Sequence, residues 1–288
     1  MPEDLAACVG ALAGTAVRDL RAAGGRHGWQ HFRVTLADGR AAFAKVSGTG
    51  TRAAFDAEAR GLRWLAAARA VPIPDVLGWD DRALVLSWVP PGRAGPEAVG
   101  SFGRDLARLH AAGAGSFGAA WPGFIASLPL DNTPWPAADG WPGWYAERRI
   151  VPYLRRAADA GTLGPADVRL VETVAGRISE LAGPDEPPSR IHGDCWSGNV
   201  MWSAGRGWLI DPAAHGGHRE TDLAMLALFG APQLEHILRA YQQTAPLADG
   251  WPSRVPLHQL HPLLVHVCLF GAGYRDAALG AARAALSA

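Results

Sequence analysis

The stretch Ile191 to Asp211, IHGDCWSGNVMWSAGRGWLID, gathers three polar side chains in a fixed order: Asp194, Asn199 five residues on, and Asp211 twelve after that. A carboxylate, a carboxamide and a second carboxylate are what phosphoryl transfer from ATP to a hydroxyl asks of a protein. One carboxylate accepts the proton of the attacking hydroxyl, and an amide oxygen with the other carboxylate holds magnesium on the phosphates. Singly, each residue is an ordinary turn former. Together they read as Asp194 for the base and Asn199 and Asp211 for the metal.

The local pattern supports that placement. Asn199 to Trp202 alternates as a short strand, Ser203 to Arg206 supplies a turn, and Gly207 to Ile210 returns as a strand ending at Asp211. Such a hairpin puts the Asn at one strand start and the Asp at the other strand's end, where both can reach one ion. His192 is expected to pack under this loop and bond a backbone carbonyl. The D-x4-N spacing matches the catalytic loop H-R-D-x4-N of protein kinases, followed by D-F-G. Here Gly193 replaces the Arg, Pro212 follows the second Asp, and no A-P-E is found, so a protein kinase proper is disfavoured.

Phosphates need a cation as well. Lys45 ends an apolar strand, Arg40 to Val46, that pairs with His31 to Leu36 across the turn Ala37-Asp38-Gly39. Thirteen residues on, Glu58 falls on the face of a helix, Arg52 to Ala68, that also carries Phe55, Leu62 and Leu65. A carboxylate on an inward face needs a partner. A strand Lys and a helix Glu form the pair that orients ATP phosphates. Gly24, Gly25 and Gly28 precede the strands where a loop covering the nucleotide would sit, with Gly25 the candidate contact. Ala83 to Val89 reads as a buried strand stopped by Pro90-Pro91-Gly92, a natural boundary between residues 1–89 and a mostly helical 90–288. The backbone of Ser87, Trp88 and Val89, at that hinge, would receive adenine.

In the second part, Ser101 is expected to cap a helix ending at Gly113. The Trp/Pro/Gly-rich 114–143 reads as irregular, and helices are expected over 144–158, from Pro165, over 221–229 and 233–243, and from Leu257 onward. Lys plus Arg equals Asp plus Glu, 27 each, which removes any global field for nucleic acid. Cys8, Cys195 and Cys268 are too scattered for a disulfide framework or zinc site, and point to a reducing cytoplasm. Leu5 to Val17 is apolar, but Glu3 and Asp4 precede it, which favours a packed helix over a signal peptide. No stretch is expected to span a membrane.

At DPAAHGGHRETDLAMLALFG, Asp211 to Gly230, together with HGDCWSGN, the chain resembles the fructosamine kinase (ketosamine-3-kinase) family, in the wider aminoglycoside phosphotransferase group. AEARGL, SLPLDNTP, WYAERR, AYQQTAPLADGW and HVCLFGAGY extend the likeness along the whole chain. The resemblance implies an α+β, bilobal protein-kinase-like fold: a small β-sheet N-lobe with one key helix, and a mostly helical C-lobe containing the catalytic β-hairpin. It implies ATP and Mg2+ as cofactors, and phosphorylation of a sugar hydroxyl, at C3, of a small-molecule or protein-linked ketosamine, giving an adduct that frees the amine. It implies that Asp194 is the base, that Asn199 and Asp211 hold the metal, and that Lys45 with Glu58 holds the phosphates. Asp222 would brace the catalytic loop through its N–H groups. His218, Arg219 and Glu220, with Asp131 and Asn132 of SLPLDNTP, would face the substrate. Cys195 and Cys268 stand where the family has Leu and Asn, and Ser87 replaces an acidic residue near the hinge; Cys195 is expected to be a buried, inert thiol.

Overall fold

The computed structural model describes residues 2–26, 28–47 and 52–288. Helix α1 (Pro2–Ala13) leads into strands β1 (Val17–Arg26), β2 (Trp29–Leu36) and β3 (Ala41–Val46), then helix α2 (Arg52–Ala66) and strands β4 (Val76–Trp79) and β5 (Ala83–Ser87). The strands form one antiparallel sheet in the order β1-β2-β3-β5-β4. Its two faces are covered differently. Val9 and Ala13 of α1 pack with Val34, Leu36, Ala42, Ala44 and Val85 on one side. Phe55, Leu62 and Leu65 of α2 pack with Leu84 and Leu86 on the other. The period-2 alternation of β3 therefore puts Lys45 on the α2 side, opposite the Glu58 that α2 turns inward.

Helix α3 (Pro96–Ala111) follows, then strands β6 (Gly123–Ile125) and β7 (Leu128–Leu130). A helical run of three pieces comes next: α4 (Trp141–Tyr145), a π-helical turn (Ala146–Ile150) and α5 (Val151–Asp159). Helices α6 (Pro165–Gly176) and α7 (Ile178–Leu181) precede β8 (Ser189–Ile191), the hairpin β9 (Val200–Ser203) and β10 (Arg206–Leu209), and β11 (His215–Gly217). Helices α8 (Arg219–Leu228), α9 (Leu234–Thr244), α10 (Trp251–Phe270) and α11 (Arg275–Leu286) complete the chain. One core cluster runs from α2 and β5 through Phe102, Leu106 and Leu109 of α3 to Val200 and Leu209 of the hairpin and Tyr241 of α9. The hairpin is thus anchored in the same packing as the helix bearing Glu58. A second cluster fills the space among α4, α5, α6, α10 and α11.

Several elements differ from the sequence expectation. VRDLRAAGGR forms β1 although it lacks apolar alternation, because it is an edge strand and needs burial on neither face along its length. Gly24 and Gly25 lie within β1 rather than in a free loop. A register shift falls between Ala22 and Gly25, and a Cβ at Gly25 would come 2.5 Å from the Trp29 carbonyl. The helix assigned a start at Ser101 begins at Pro96, whose fixed φ suits the first turn. The hairpin turn is two residues, Ala204 and Gly205, both left-handed (φ 47° and 73°), the form that matches strand twist. The segment 114–143 holds β6, β7 and the start of α4, and α10 begins at Trp251. The run Trp251–Leu286 is long and apolar enough to cross a membrane by length and composition alone. Half of its apolar window is buried against the rest of the fold, as for a core helix.

Candidate active site

The cationic corner is built first by the sheet. Lys45 is 2 % exposed, and its Nζ donates to both Glu58 carboxylate oxygens at 2.8 Å and to Asp211 Oδ1 at 2.6 Å. The Trp29 ring lies against the same ammonium, with its centroid 4.8 Å away. Burial alone would lower the Lys45 pKa, but the Asp211 and Glu58 carboxylates outweigh it and hold the value above the ordinary one. Burial pushes Glu58 up to about 7, with Lys45 offsetting part of the effect. Burial acts upward on Asp211 too, yet Lys45 brings its pKa below the usual carboxylate value. One ammonium is therefore shared by two acids, and Asp211 is the one that stays ionised most firmly.

The hairpin delivers the other groups. Ile210 N donates to Asn199 O at 3.1 Å, which closes the hairpin base and sets Asn199 beside Asp211. Asp211 itself takes a left-handed φ of 50°, a conformation Asp tolerates better than most residues. Asn199, 2 % exposed, donates through Nδ2 to the Asp194 carbonyl and to Asp194 Oδ2, both at 2.9 Å. Asp194 is thus fixed through its neighbour five residues on.

Beneath the loop, Asp222 is fully buried and accepts from His192 N (2.7 Å) and Gly193 N (2.9 Å). It also meets His110 Nε2 at 3.1 Å, and His110 Nδ1 meets the Tyr241 hydroxyl at 2.8 Å. Burial would raise the Asp222 pKa, but His110 and His192 bring it below the ordinary value. His192 Nδ1 accepts from Asp194 N at 3.2 Å, so Nε2 carries the hydrogen and donates to Ile210 O at 2.9 Å. Burial lowers its pKa, which keeps it neutral and suited to that double bond. Gly193, at φ 79°, leaves no room for a side chain against the Ala213 carbonyl. Cys195 is fully buried, and burial raises its thiol pKa well above the ordinary value.

Lys45, Glu58, Asp194, Asn199 and Asp211 line one cavity of about 280 Å³, and its far wall is aromatic and apolar, with Trp196, Phe229, Phe270 and Tyr274. Asn132 lines it as well. Asp131 does not: its carboxylate is taken by Thr133 and by Arg148 Nη1 at 2.9 Å. His218, Arg219 and Glu220, expected to face the substrate, lie outside the lining of this cavity. His218 caps α8, accepting from Glu220 N, and is buried under Trp141 and His258. Glu220 is 2 % exposed and takes two bonds from Arg254, at 2.9 and 2.6 Å. Arg219 is clamped by Glu186 at 2.7 and 2.6 Å and by the carbonyls of Ala245 and Pro246. All three bind protein groups outside the cavity. Gly25 and Ser87 to Val89 lie outside its lining too. Ser87 N and Trp88 N already donate to Asp75 O and Ala41 O, so neither amide is available to adenine. The sequence reading missed Trp29, which carries no motif, and the aromatic wall, whose members come from the catalytic loop (Trp196), the residue that ends α8 (Phe229), α10 (Phe270) and the turn after α10 (Tyr274).

A small antiparallel sheet flanked by two helices, and a helical second part that carries a D-x4-N hairpin, define a phosphotransferase of the protein-kinase-like α+β fold. Solved structures agree. An aminoglycoside phosphotransferase in complex with ADP and hygromycin B superposes with a TM-score of 0.62 at 16% identity, covering 97% of each chain; at that identity the likeness is one of fold. The sequence profile of the fructosamine kinase family matches residues 12–287. The chain belongs to the fructosamine kinase family. It is similar to a protein of Thermus thermophilus named a probable ketoamine kinase, 37% identical over 238 residues, with 81% of this chain and 82% of that one covered. It is also similar to a Thermobifida fusca protein whose crystal structure is named for a fructosamine-3-kinase, 55% identical over 99% of each chain with a TM-score of 0.95.

Proposed function

We propose that the enzyme transfers the γ-phosphoryl group of ATP to the C3 hydroxyl of a ketosamine, the adduct of an amine with the C1 position of a ketose. The observation that carries this is the convergence of Lys45, Asp211, Asn199 and Asp194 on one cavity within a fructosamine kinase chain. In this reading Lys45 binds the phosphates, and Glu58 keeps its ammonium aimed when Asp211 turns to a cation. Asp211 and Asn199 offer a carboxylate and a carboxamide oxygen, a hard donor set that fits Mg2+ and would hold it against the phosphates. Because Asn199 Nδ2 is spent on Asp194, its Oδ1 is the end that faces a cation. Bound there, such an ion would supply charge neutralisation for the phosphates. Asp194 orients the sugar hydroxyl and accepts its proton, in a direct in-line displacement with no phosphoenzyme.

The aromatic wall bears on the substrate class. Among the described lining residues the only acids are Glu58, Asp194 and Asp211, and each already has a task. No carboxylates remain to bind the several ammonium groups of an aminoglycoside, whereas a sugar with a single amine fits apolar and aromatic surfaces. The free cysteines suit a reducing cytoplasm as the place of action. The test is ATP consumption with magnesium on fructosyl-lysine, ribulosyl-lysine and kanamycin. Turnover on a ketosamine with phosphate found on C3 is expected; turnover on kanamycin alone would refute the reading.

A further inference from the structure

Arg149 carries a charge with no ordinary partner. It is 1 % exposed, in the π-helical turn, with its guanidinium carbon 4.2 Å from the Trp144 ring centroid. Among the described residues no carboxylate is bonded to it, and Asp131, the acid beside Asn132, gives its side chain to Arg148 and Thr133. Instead Nη1 donates to the carbonyls of Asp131 (2.6 Å) and Arg148 (3.1 Å), Nη2 donates to Asn132 Oδ1 at 2.6 Å, and Nε has no partner among the described residues. Burial lowers its pKa to about 10, which leaves it charged at neutral pH. A buried charge solvated only by dipoles is unfavourable. A charge-assisted bond to a carboxamide is among the stronger dipole contacts the fold can offer it.

Asn132 connects this charge to the cavity. It is 3 % exposed and lines the cavity with Asp194 and Asn199. A guanidinium can only donate, so the atom facing Nη2 is Oδ1 and the amide's orientation is fixed. Its other end, Nδ2, donates to no group among the described residues. Nδ2 lies over Gly123, another lining residue; a Cβ there would come 2.5 Å from it, so β6 carries a glycine where the amide needs space. Pulling electron density toward Arg149 makes the Nδ2 hydrogens better donors. Asn132 and Gly123 also border an outer groove with Arg148 and Arg156.

We infer that Asn132 is a substrate-binding residue, its Nδ2 donating a hydrogen bond to an oxygen of the substrate's polyhydroxy chain, and that Arg149 is the positioning residue which fixes and polarises it. This rests on reading the site as that of a ketosamine kinase. Asn132→Asp keeps an acceptor for Arg149, so the fold is retained, but it removes the donor and sets a carboxylate against sugar oxygens. The KM for fructosyl-lysine should rise about tenfold or more, while the KM for ATP and the thermal shift given by ADP stay at wild-type values. Gly123→Ala, crowding the amide from the other side, should give the same split. Arg149→Lys should raise the ketosamine KM alone, and should add nothing to it in the Asn132→Asp background. Unchanged ketosamine KM in Asn132→Asp overturns the inference. So does an equal rise for both substrates with a loss of thermal stability, which marks a structural role. A wild type that binds ADP yet is inert to every ketosamine removes the proposed function, and this inference with it.

Discussion

Two of the charge clusters among the described residues are made of similar parts. One is Lys45, Glu58 and Asp211; the other is Arg254, Glu220, His258 and His218. Each sets a cation against carboxylate at 2.6 to 2.9 Å. They differ in access and in how the charges are matched. In the first, two acids compete for one ammonium and the set opens on a cavity, so bringing in a phosphate and a cation would relieve the competition. In the second, one acid meets one guanidinium with two parallel bonds, and the imidazoles around them are sealed under Trp141. Among the described residues, the second also holds the one set of three His, Cys, Asp or Glu side chains, His218, Glu220 and His258, whose ligand atoms lie close enough together to suggest a metal. Yet His218 Nδ1 already accepts from Glu220 N, and Arg254 occupies the carboxylate, so a cation there would have to displace another. The open cluster leaves its acids competing at an opening, whereas the closed one matches acid to guanidinium in the interior and ties helices together.

The sharpest way to break that distinction is to mutate Asp194, which lines the cavity onto which the first cluster opens, and Arg254 of the second. Asp194→Asn at the open site preserves an acceptor for Asn199 Nδ2 and removes the proposed base. Turnover should fall about 10²- to 10⁴-fold, with ADP binding, measured by calorimetry, retained. Arg254→Met at the closed cluster strands Glu220 in the interior, and losing one member of a buried pair lowers stability by about 3–5 kcal/mol. Below the melting temperature its KM for both substrates should match wild type. If Arg254→Met changed substrate KM while leaving the denaturation midpoint alone, the closed cluster would belong to the active site after all.

How each cluster stood in the sequence follows from the same contrast. Lys45 and Glu58 were legible because a short alternation and a helical face fix each one locally, and the D-x4-N hairpin is a run of local geometry. Asp222 as a brace for the loop came from family resemblance, and its two backbone donors lie where that role needs them. His218, Arg219 and Glu220 stand in an equally conspicuous run, but their partners, Glu186 and Arg254, are more than thirty residues away and carry no pattern that announces the pairing. Burial decided their role, and burial is a property of tertiary packing. For the same reason β1 was missed: an edge strand with one neighbour imposes little alternation, so VRDLRAAGGR reads as loop.

A gentler probe uses pH, and here the two clusters carry opposite signs. Glu58 has its folded pKa raised from 4.5 to about 7, so the folded state holds its proton more tightly than the unfolded chain. Its contribution to stability is fully present below about pH 4.5 and is lost as pH rises through 7. Glu220 has its folded pKa lowered from 4.5 to about 2. Its contribution is present above about pH 4.5 and is lost as pH falls through 2. Urea midpoints across pH should therefore flatten between 5 and 7 in Glu58→Gln and between 2 and 4 in Glu220→Gln, each by on the order of 1–3 kcal/mol. A Glu58→Gln curve parallel to wild type above pH 5 would show that Lys45 fully satisfies both acids, and the idea of a frustrated open cluster would fail.

The smallest effect is expected at Cys195, which adjoins Asp194 in sequence and so tests whether nearness to the open cluster is enough to confer a role. It is not, if access is what matters. The side chain is fully buried, it packs in the core cluster with Leu209 and Leu223, and burial in the field of Asp222 and Asp194 holds its thiol protonated. A thiol in that state is neither nucleophile nor base. Cys195→Ala should leave kcat within about twofold of wild type and lower stability by about 1 kcal/mol, the scale of a small core truncation. In the native protein iodoacetamide should modify Cys8 and Cys268, both partly exposed, well before Cys195. Early labelling of Cys195 with parallel loss of activity would mean that the floor of the catalytic loop opens in solution, and that the boundary between the open cluster and the core is looser than its packing indicates.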